Sequence, residues 1–206
     1  SYLLALSLFQ FMEPEEILIL DYNCGNVGSV FNMVKKVGAR PRIVTSPNEI
    51  KGSRKLIVPG VGSFDRGVEY LKQKELFNEV KVFAKNQDNL ILGLCLGMQL
   101  LCDSSEEGVS EGFGFIPGRC IKLKASKTFK VPNMGWRDIT ATQSSKLLKG
   151  IESPRFYFVH SYHMVCDDIY SESKSSHNDL EFNCLVRNKN VMAVSYTHLR
   201  AHETLP

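Results

Sequence analysis

The chain has 206 residues, a net charge of +3, 43% hydrophobic residues and 23% charged ones. That length predicts one domain around a single large core with the composition of a soluble enzyme. The basic excess is small and scattered, which argues against nucleic acid as a partner.

Six cysteines (Cys24, Cys95, Cys102, Cys120, Cys166 and Cys184) are far apart. There is no CxxC pair and no histidine at zinc spacing, so neither a disulfide framework nor a metal site is expected. A reduced, cytoplasmic protein fits this usage, with Cys102, Cys120, Cys166 and Cys184 as small core residues.

Tyr2–Met12 is apolar but lacks a positive flank, and it is shorter than the ~20 residues of a membrane span. We read 1–12 as a non-native or disordered extension, with Met12 as the natural start. Residues 13–194 form the expected domain, and no membrane association is expected. Residues 195–206 read as a foreign tail that replaces the native C-terminus.

Glu16–Asp21 predicts a strand. Gly25–Gly28 is a turn, and Val30, Phe31, Val34 and Val37 follow at helical spacing. Gly38 is a stop signal. Arg42–Val44 is a second strand, and Ser46-Pro-Asn-Glu49 reads as a capping box. Leu56–Val58 is a third strand, running into Pro59-Gly-Val-Gly62. Asp65–Lys85 is a helical region. Such alternation implies a parallel sheet covered on both faces. The second half holds short β-like runs at Arg119–Leu123, Phe156–His160, Phe182–Arg187 and Val191–Val194. They predict an antiparallel extension of the same core. Ser171–Asp179 reads as a polar loop.

The most informative segment runs from Asn89 to Cys102. An apolar strand enters Gly93-x-Cys95-x-Gly97 and continues as a helix, a nucleophile elbow carrying sulfur. Glycines on both sides permit the sharp turn, and the helix N-terminus favours an anion. Lowering a thiol from ~8.5 to ~6.5 stabilises its thiolate by about 2.7 kcal/mol. In an elbow, the N–H of the next residue, Leu96, faces the developing oxyanion.

Pro59-Gly-Val-Gly62 is either a second source of oxyanion donors or a plain strand-ending turn. Phe156-Tyr-Phe-Val-His-Ser-Tyr-His163 breaks from an apolar strand into a polar cluster. That cluster is either a small-molecule site or a buried strand with satisfied side chains. Trp136, the only tryptophan, belongs to a core or to an interface.

Six segments together resemble the glutamine amidotransferase subunits of imidazole glycerol phosphate synthases, class I (Cys-His-Glu triad) glutaminases. They are Leu20-Asp-Tyr-Asn-Cys-Gly-Asn26, Val58-Pro-Gly-Val-Gly62, Gly93-Leu-Cys-Leu-Gly-Met-Gln99, Gly114-Phe-Ile-Pro-Gly118, Val131-Pro-Asn-Met-Gly-Trp136 and Tyr157-Phe-Val-His-Ser-Tyr162. The resemblance implies a flavodoxin-like, three-layer α/β fold with a mostly parallel central sheet and an antiparallel extension. It makes Cys95 the nucleophile that attacks glutamine, and it gives Gly60, Val61 and Leu96 the oxyanion hole. Gly62, Gln99, His160, Ser161 and Tyr162 would hold glutamine. Asn26 and Trp136 would face a cyclase subunit, a (β/α)₈ barrel that receives the ammonia. No metal or organic cofactor is implied.

One departure concerns the base. The family follows its last core strand with Gln-Phe-His-Pro-Glu-Lys, which supplies the triad His and Glu. Here Val194 is followed by Ser-Tyr-Thr-His-Leu. His198 falls one position late, and His202-Glu203 has the wrong spacing. No residue is therefore matched to either role, and an impaired glutaminase is expected. Three alternatives stay open: the same chemistry feeding an amidotransferase of surface sugars, a partner-binding subunit without catalysis, and a general cysteine hydrolase.

Overall fold

Leu18 and Leu20 of β1 (Glu16–Leu20) point to one face of a sheet and Ile19 to the other, and all three are fully buried. This period-two division runs through the parallel strands and creates the layers around them. The computed structural model describes residues 14–126, 130–142, 145, 147–148, 151–177 and 180–195. The expected extension at 1–12 and the tail beyond Ser195, with His198, His202 and Glu203, lie outside the described residues.

The strands β2 (Arg40–Val44), β3 (Lys55–Val58), β4 (Leu90–Leu94) and β12 (Val191–Val194) join β1 in the order β2-β1-β3-β4-β12, all parallel. Helix α1 (Val27–Lys36) covers one face, where Val34 packs with Ile19 and Ile57. Helices α2 (Phe64–Gln73), α3 (Leu76–Lys85) and α4 (Leu96–Leu100) cover the other. There Phe64, Leu71, Val80 and Leu100 meet Leu18, Leu56, Val58 and Ile91.

The sheet continues antiparallel from β12 through β11 (Leu180–Asn188), β10 (Ser171–His177), β7 (Asn133–Ala141) and β8 (Arg155–His160). A smaller sheet holds β5 (Ser104–Ser105), β6 (Arg119–Lys122) and β9 (Tyr162–Val165). The result is the α/β class expected, a mostly parallel core with an antiparallel extension. Among the described residues, no helix is long and apolar enough to cross a membrane.

Three local readings change. The helical region 65–85 is two helices, broken where Glu75 takes φ 59°. Val191–Val194 is parallel to β4, so it belongs to the core rather than to the extension. Ser171–His177 is a strand, not a loop, and Ser171, Ser173 and Ser175 are buried. The Ser175 hydroxyl donates to the Asp138 carbonyl at 2.8 Å, and Ser173 Oγ meets Cys184 Sγ at 3.2 Å. Hydroxyls with partners stand where β-branched side chains usually do, so propensity carried no signal. Cys102, Cys120 and Cys184 are buried and Cys166 is partly buried, all as free thiols.

The extension has its own apolar cluster around Phe158, which is fully buried. Its ring meets Phe182 edge-on at 5.4 Å. Phe158→Ala should destabilise the fold by about 3–5 kcal/mol. A lower urea midpoint at an unchanged slope would report that loss.

Candidate active site

Cys95 joins β4 to α4 with φ 55° and ψ −110°, a conformation that side chains rarely adopt. Such a residue stores about 1–3 kcal/mol of strain and persists only where its surroundings dictate it. Two strand ends do so here. The Cys95 N–H donates to the Val194 carbonyl at 2.9 Å, and the Leu96 N–H donates to the Gly60 carbonyl at 3.2 Å. The flanking glycines leave no alternative. A Cβ at Gly97 would collide with the Val58 carbonyl, and one at Gly93 would sit 2.6 Å from Leu101 Cδ1. The motif's spacing thus reflects close packing of α4 against the end of β3.

The loops after β1 and β3 and the elbow after β4 gather at the carboxyl ends of the parallel strands, where ligands collect in such sheets. Cys95, Met98, Gln99, Cys120, His160, Tyr162, His163, Met164 and Ser195 line one cleft there. The sequence-selected Cys95, Gln99, His160 and Tyr162 therefore come together. Gly60 and Leu96 adjoin the sulfur through the elbow's backbone. Val61 is exposed beside them, and Gly62 has φ 117°. The Ser161 carbonyl accepts the Leu123 N–H at 2.9 Å. Asn26 is exposed and caps α1, its Oδ1 accepting the Ser29 N–H at 3.1 Å. Trp136 sits on β7 and meets Tyr157 edge-on at 5.6 Å.

The thiol departs from expectation. Burial pushes the Cys95 thiol above its ordinary value, and the Leu96 N–H only partly offsets this. α4 spans five residues, and no cation is among the causes that shift Cys95. The helix N-terminus alone does not make a resting thiolate.

His160 is also unlike a base. Its Nδ1 lies 3.0 Å from the Tyr162 carbonyl, and its Nε2 lies 2.9 Å from Asn133 Nδ2. A carbonyl can only accept, so Nδ1 carries the proton and Nε2 accepts from the amide. Asn133 Oδ1 in turn accepts from Arg137 Nη2 at 3.2 Å. Both ring nitrogens are engaged, and burial lowers the pKa of His160 to about 4. His163 is the other histidine in the cleft, and its buried Nδ1 has no partner among the described residues. Burial lowers its pKa, while Glu106 acts to raise it. The Oε1 atom of Gln99 and the Oγ atom of Ser195 are likewise buried without a partner. Gln99, His163 and Ser195 each line the cleft and each bury a polar atom without a partner among the described residues, which a polar ligand would complete. Sequence reading named His163 only within a cluster and missed Ser195. The first polar residue after the last core strand was the available signal for Ser195.

The family model for glutamine amidotransferase class-I matches residues 18–201. The chain is 40% identical over 188 residues to imidazole glycerol phosphate synthase subunit HisH 2 of Methanococcus maripaludis, covering 91% of this chain and 93% of that one. It is also 40% identical over 192 residues to subunit HisH of Sulfurimonas denitrificans, covering 91% and 92%. In fold it resembles a crystal structure of a glutamine amidotransferase, with a TM-score of 0.68, 16% identity, and 88% and 89% of the two chains covered. A similar match is to PurLQS from Thermotoga maritima, with a TM-score of 0.68, 18% identity, and 90% and 88% covered.

His160 yields a test with a defined sign. Between pH 6.5 and about 4 the unfolded chain binds a proton at this position that the folded protein refuses. Stability should therefore fall as pH drops through that window, by up to on the order of 3 kcal/mol. Urea unfolding at pH 7, 5.5 and 4.5 should show this, and a His160→Gln variant should show a shallower dependence.

Proposed function

The chain belongs to the class-I glutamine amidotransferases and, within them, to the HisH family, and on that premise we propose that it is the glutaminase subunit of an imidazole glycerol phosphate synthase. It supplies ammonia to a partner subunit in histidine biosynthesis, in the cytoplasm. The observation that carries the reading is that the elbow cysteine lines a cleft with Gln99, whose Oε1 has no partner among the described residues.

The Cys95 sulfur attacks the side-chain amide carbon of glutamine, and the carbonyl oxygen becomes an oxyanion. The C–N bond then breaks, ammonia leaves with an added proton, and a thioester remains. Water cleaves the thioester to glutamate and regenerates the thiol. The Leu96 N–H points at the developing charge, but here it is held by the Gly60 carbonyl. Turning the Gly60–Val61 peptide exchanges that carbonyl for the Val61 N–H. Two donors then replace a donor–acceptor pair, and one such donor is worth about 2.7–4 kcal/mol of barrier. Gly62, Gln99, Ser161 and Tyr162 hold the glutamine, and the tautomer-locked His160 shapes the wall they form.

The partner is a cyclase of the (β/α)₈ type, and its docking face includes Asn26 and Trp136. Support for that face comes from β7 and β8. Met134 pairs with Val159 and Trp136 with Tyr157, so these four share one side of the ladder. Met134 and Val159 are exposed there, leaving an apolar strip on an edge pair.

Without a His-x-Glu segment after Val194, proton transfer lacks its usual agent. General acid–base catalysis contributes about 10²–10⁴-fold. Glutamine hydrolysis by this chain with a cyclase partner should be slower than that of a relative by a factor in that range. Replacing residues 195–200 with Gln-Phe-His-Pro-Glu-Lys should restore turnover, and Cys95→Ala should abolish it in both backgrounds. Normal turnover by the unaltered chain would sink the impairment. Turnover that survives Cys95→Ala would sink the glutaminase assignment.

A further inference from the structure

Tyr22 lies two residues past the end of β1, 73 residues before Cys95, and is fully buried. Its hydroxyl donates to the Pro59 carbonyl at 2.6 Å, tying the segment after β1 to the loop whose Gly60 carbonyl engages Leu96. The same hydroxyl lies where a side chain on Gly60 would begin, and that imagined Cβ would also stand 3.0 Å from Leu96 Cβ. Gly60 is therefore enclosed by the Tyr22 hydroxyl on one side and by the residue after Cys95 on the other. A third contact comes from Gly25, where a Cβ would sit 3.3 Å from Gly60 Cα. Burial, with Cys24 and Cys95 nearby, holds the Tyr22 pKa well above its ordinary value, so the hydroxyl keeps its proton and remains a donor.

We propose that Tyr22 is a positioning residue for the oxyanion loop: its hydroxyl pins the Pro59–Gly60 peptide so that only the next peptide, Gly60–Val61, turns toward the reacting oxygen. The inference rests on the glutaminase reading and adds a residue to it. The physical argument is one of degrees of freedom. The Pro59 carbonyl belongs to one peptide plane and the Gly60 carbonyl to the next, and they meet at a single α-carbon without a side chain. A hydrogen bond on the first plane and a removable one on the second, to Leu96, make Gly60 the pivot. If the first plane were free, the Val61 N–H would sample many directions, and its aim at the oxyanion would be lost without any change in the thiol. The hydroxyl donates to the Pro59 carbonyl and not to the thiol, so its effect falls on steps in which charge develops on the carbonyl oxygen.

The test compares two reagents on Cys95, and neither depends on the missing proton shuttle. A glutamine-shaped chloromethyl ketone alkylates the thiolate with loss of chloride, and its ketone oxygen takes the oxyanion position. Iodoacetamide alkylates the same thiolate with loss of iodide and reports only its access and ionisation. In the unaltered chain the ketone should react faster. Tyr22→Phe should lower the ratio of the two rates about tenfold, the worth of one well-placed hydrogen bond, with the iodoacetamide rate unchanged. Gly60→Ala should lower it as well. The double variant Y22F/G60A should lose no more than G60A alone, because both changes act on one peptide. An unchanged ratio in Y22F, or losses that multiply in the double variant, would overturn the role of Tyr22 and leave the glutaminase reading intact. No preference for the ketone in the unaltered chain would overturn both. A fall in both rates by the same factor in Y22F would mark a purely structural tyrosine.

Discussion

The backbone of one residue governs the molecule. Cys95 turns from strand to helix at positive φ, and that turn is held only because β3, β4 and β12 end at one level. In register, Val58 stands beside Gly93 and Val194 beside Leu94. The Val194 carbonyl therefore reaches the Cys95 N–H, and the Val58 carbonyl lies beneath Gly97. A slip of one residue in either parallel pairing would move every side chain of the strand to the opposite face and remove the bond that holds the elbow. The apolar clusters above and below the sheet set that register, so the core and the site are parts of one constraint.

That constraint yields a particular kind of thiol. Reactive cysteines that rest as thiolates sit in electropositive, partly open surroundings. Cys95 is only partly buried, yet that burial raises its pKa and no cation offsets it. The neighbouring His160 is neutral and fully engaged. A wall of neutral groups suits the neutral amide proposed as substrate, and a protonated thiol is the less reactive form. The Leu96 N–H is engaged as well, by the Gly60 carbonyl.

Much of this was legible in the sequence where a residue's role depends on near neighbours. Gly93-x-Cys95-x-Gly97 announces the elbow because both glycines act within one turn of the chain. β1, β3 and β4 are continuous apolar runs, as strands buried on both faces must be. β10 and β7 were missed as strands for opposite reasons. β10 buries serines whose partners lie on other strands, and β7 opens with Asn-Met-Gly, which resembles a turn. The pKa of Cys95 was misjudged because the motif shows the helix N-terminus but not the burial. The engagement of His160 by Asn133 spans 27 positions, and that of Tyr22 by Pro59 spans 37. No local pattern records either.

Strand β7 shows why the two faces of this edge belong to one argument. Side chains alternate along it, so Asn133 and Arg137 turn inward while Met134 and Trp136 share the outer side. Asn133 holds the ring of His160 at 2.9 Å, and His160 holds the Tyr162 carbonyl at 3.0 Å, on the wall of the cleft. Met134 and Trp136, one residue away in each case, form the apolar strip proposed to meet the cyclase. A strand cannot rotate one side without the other. Trp136 and the Asn133 that holds His160 are therefore carried by one backbone.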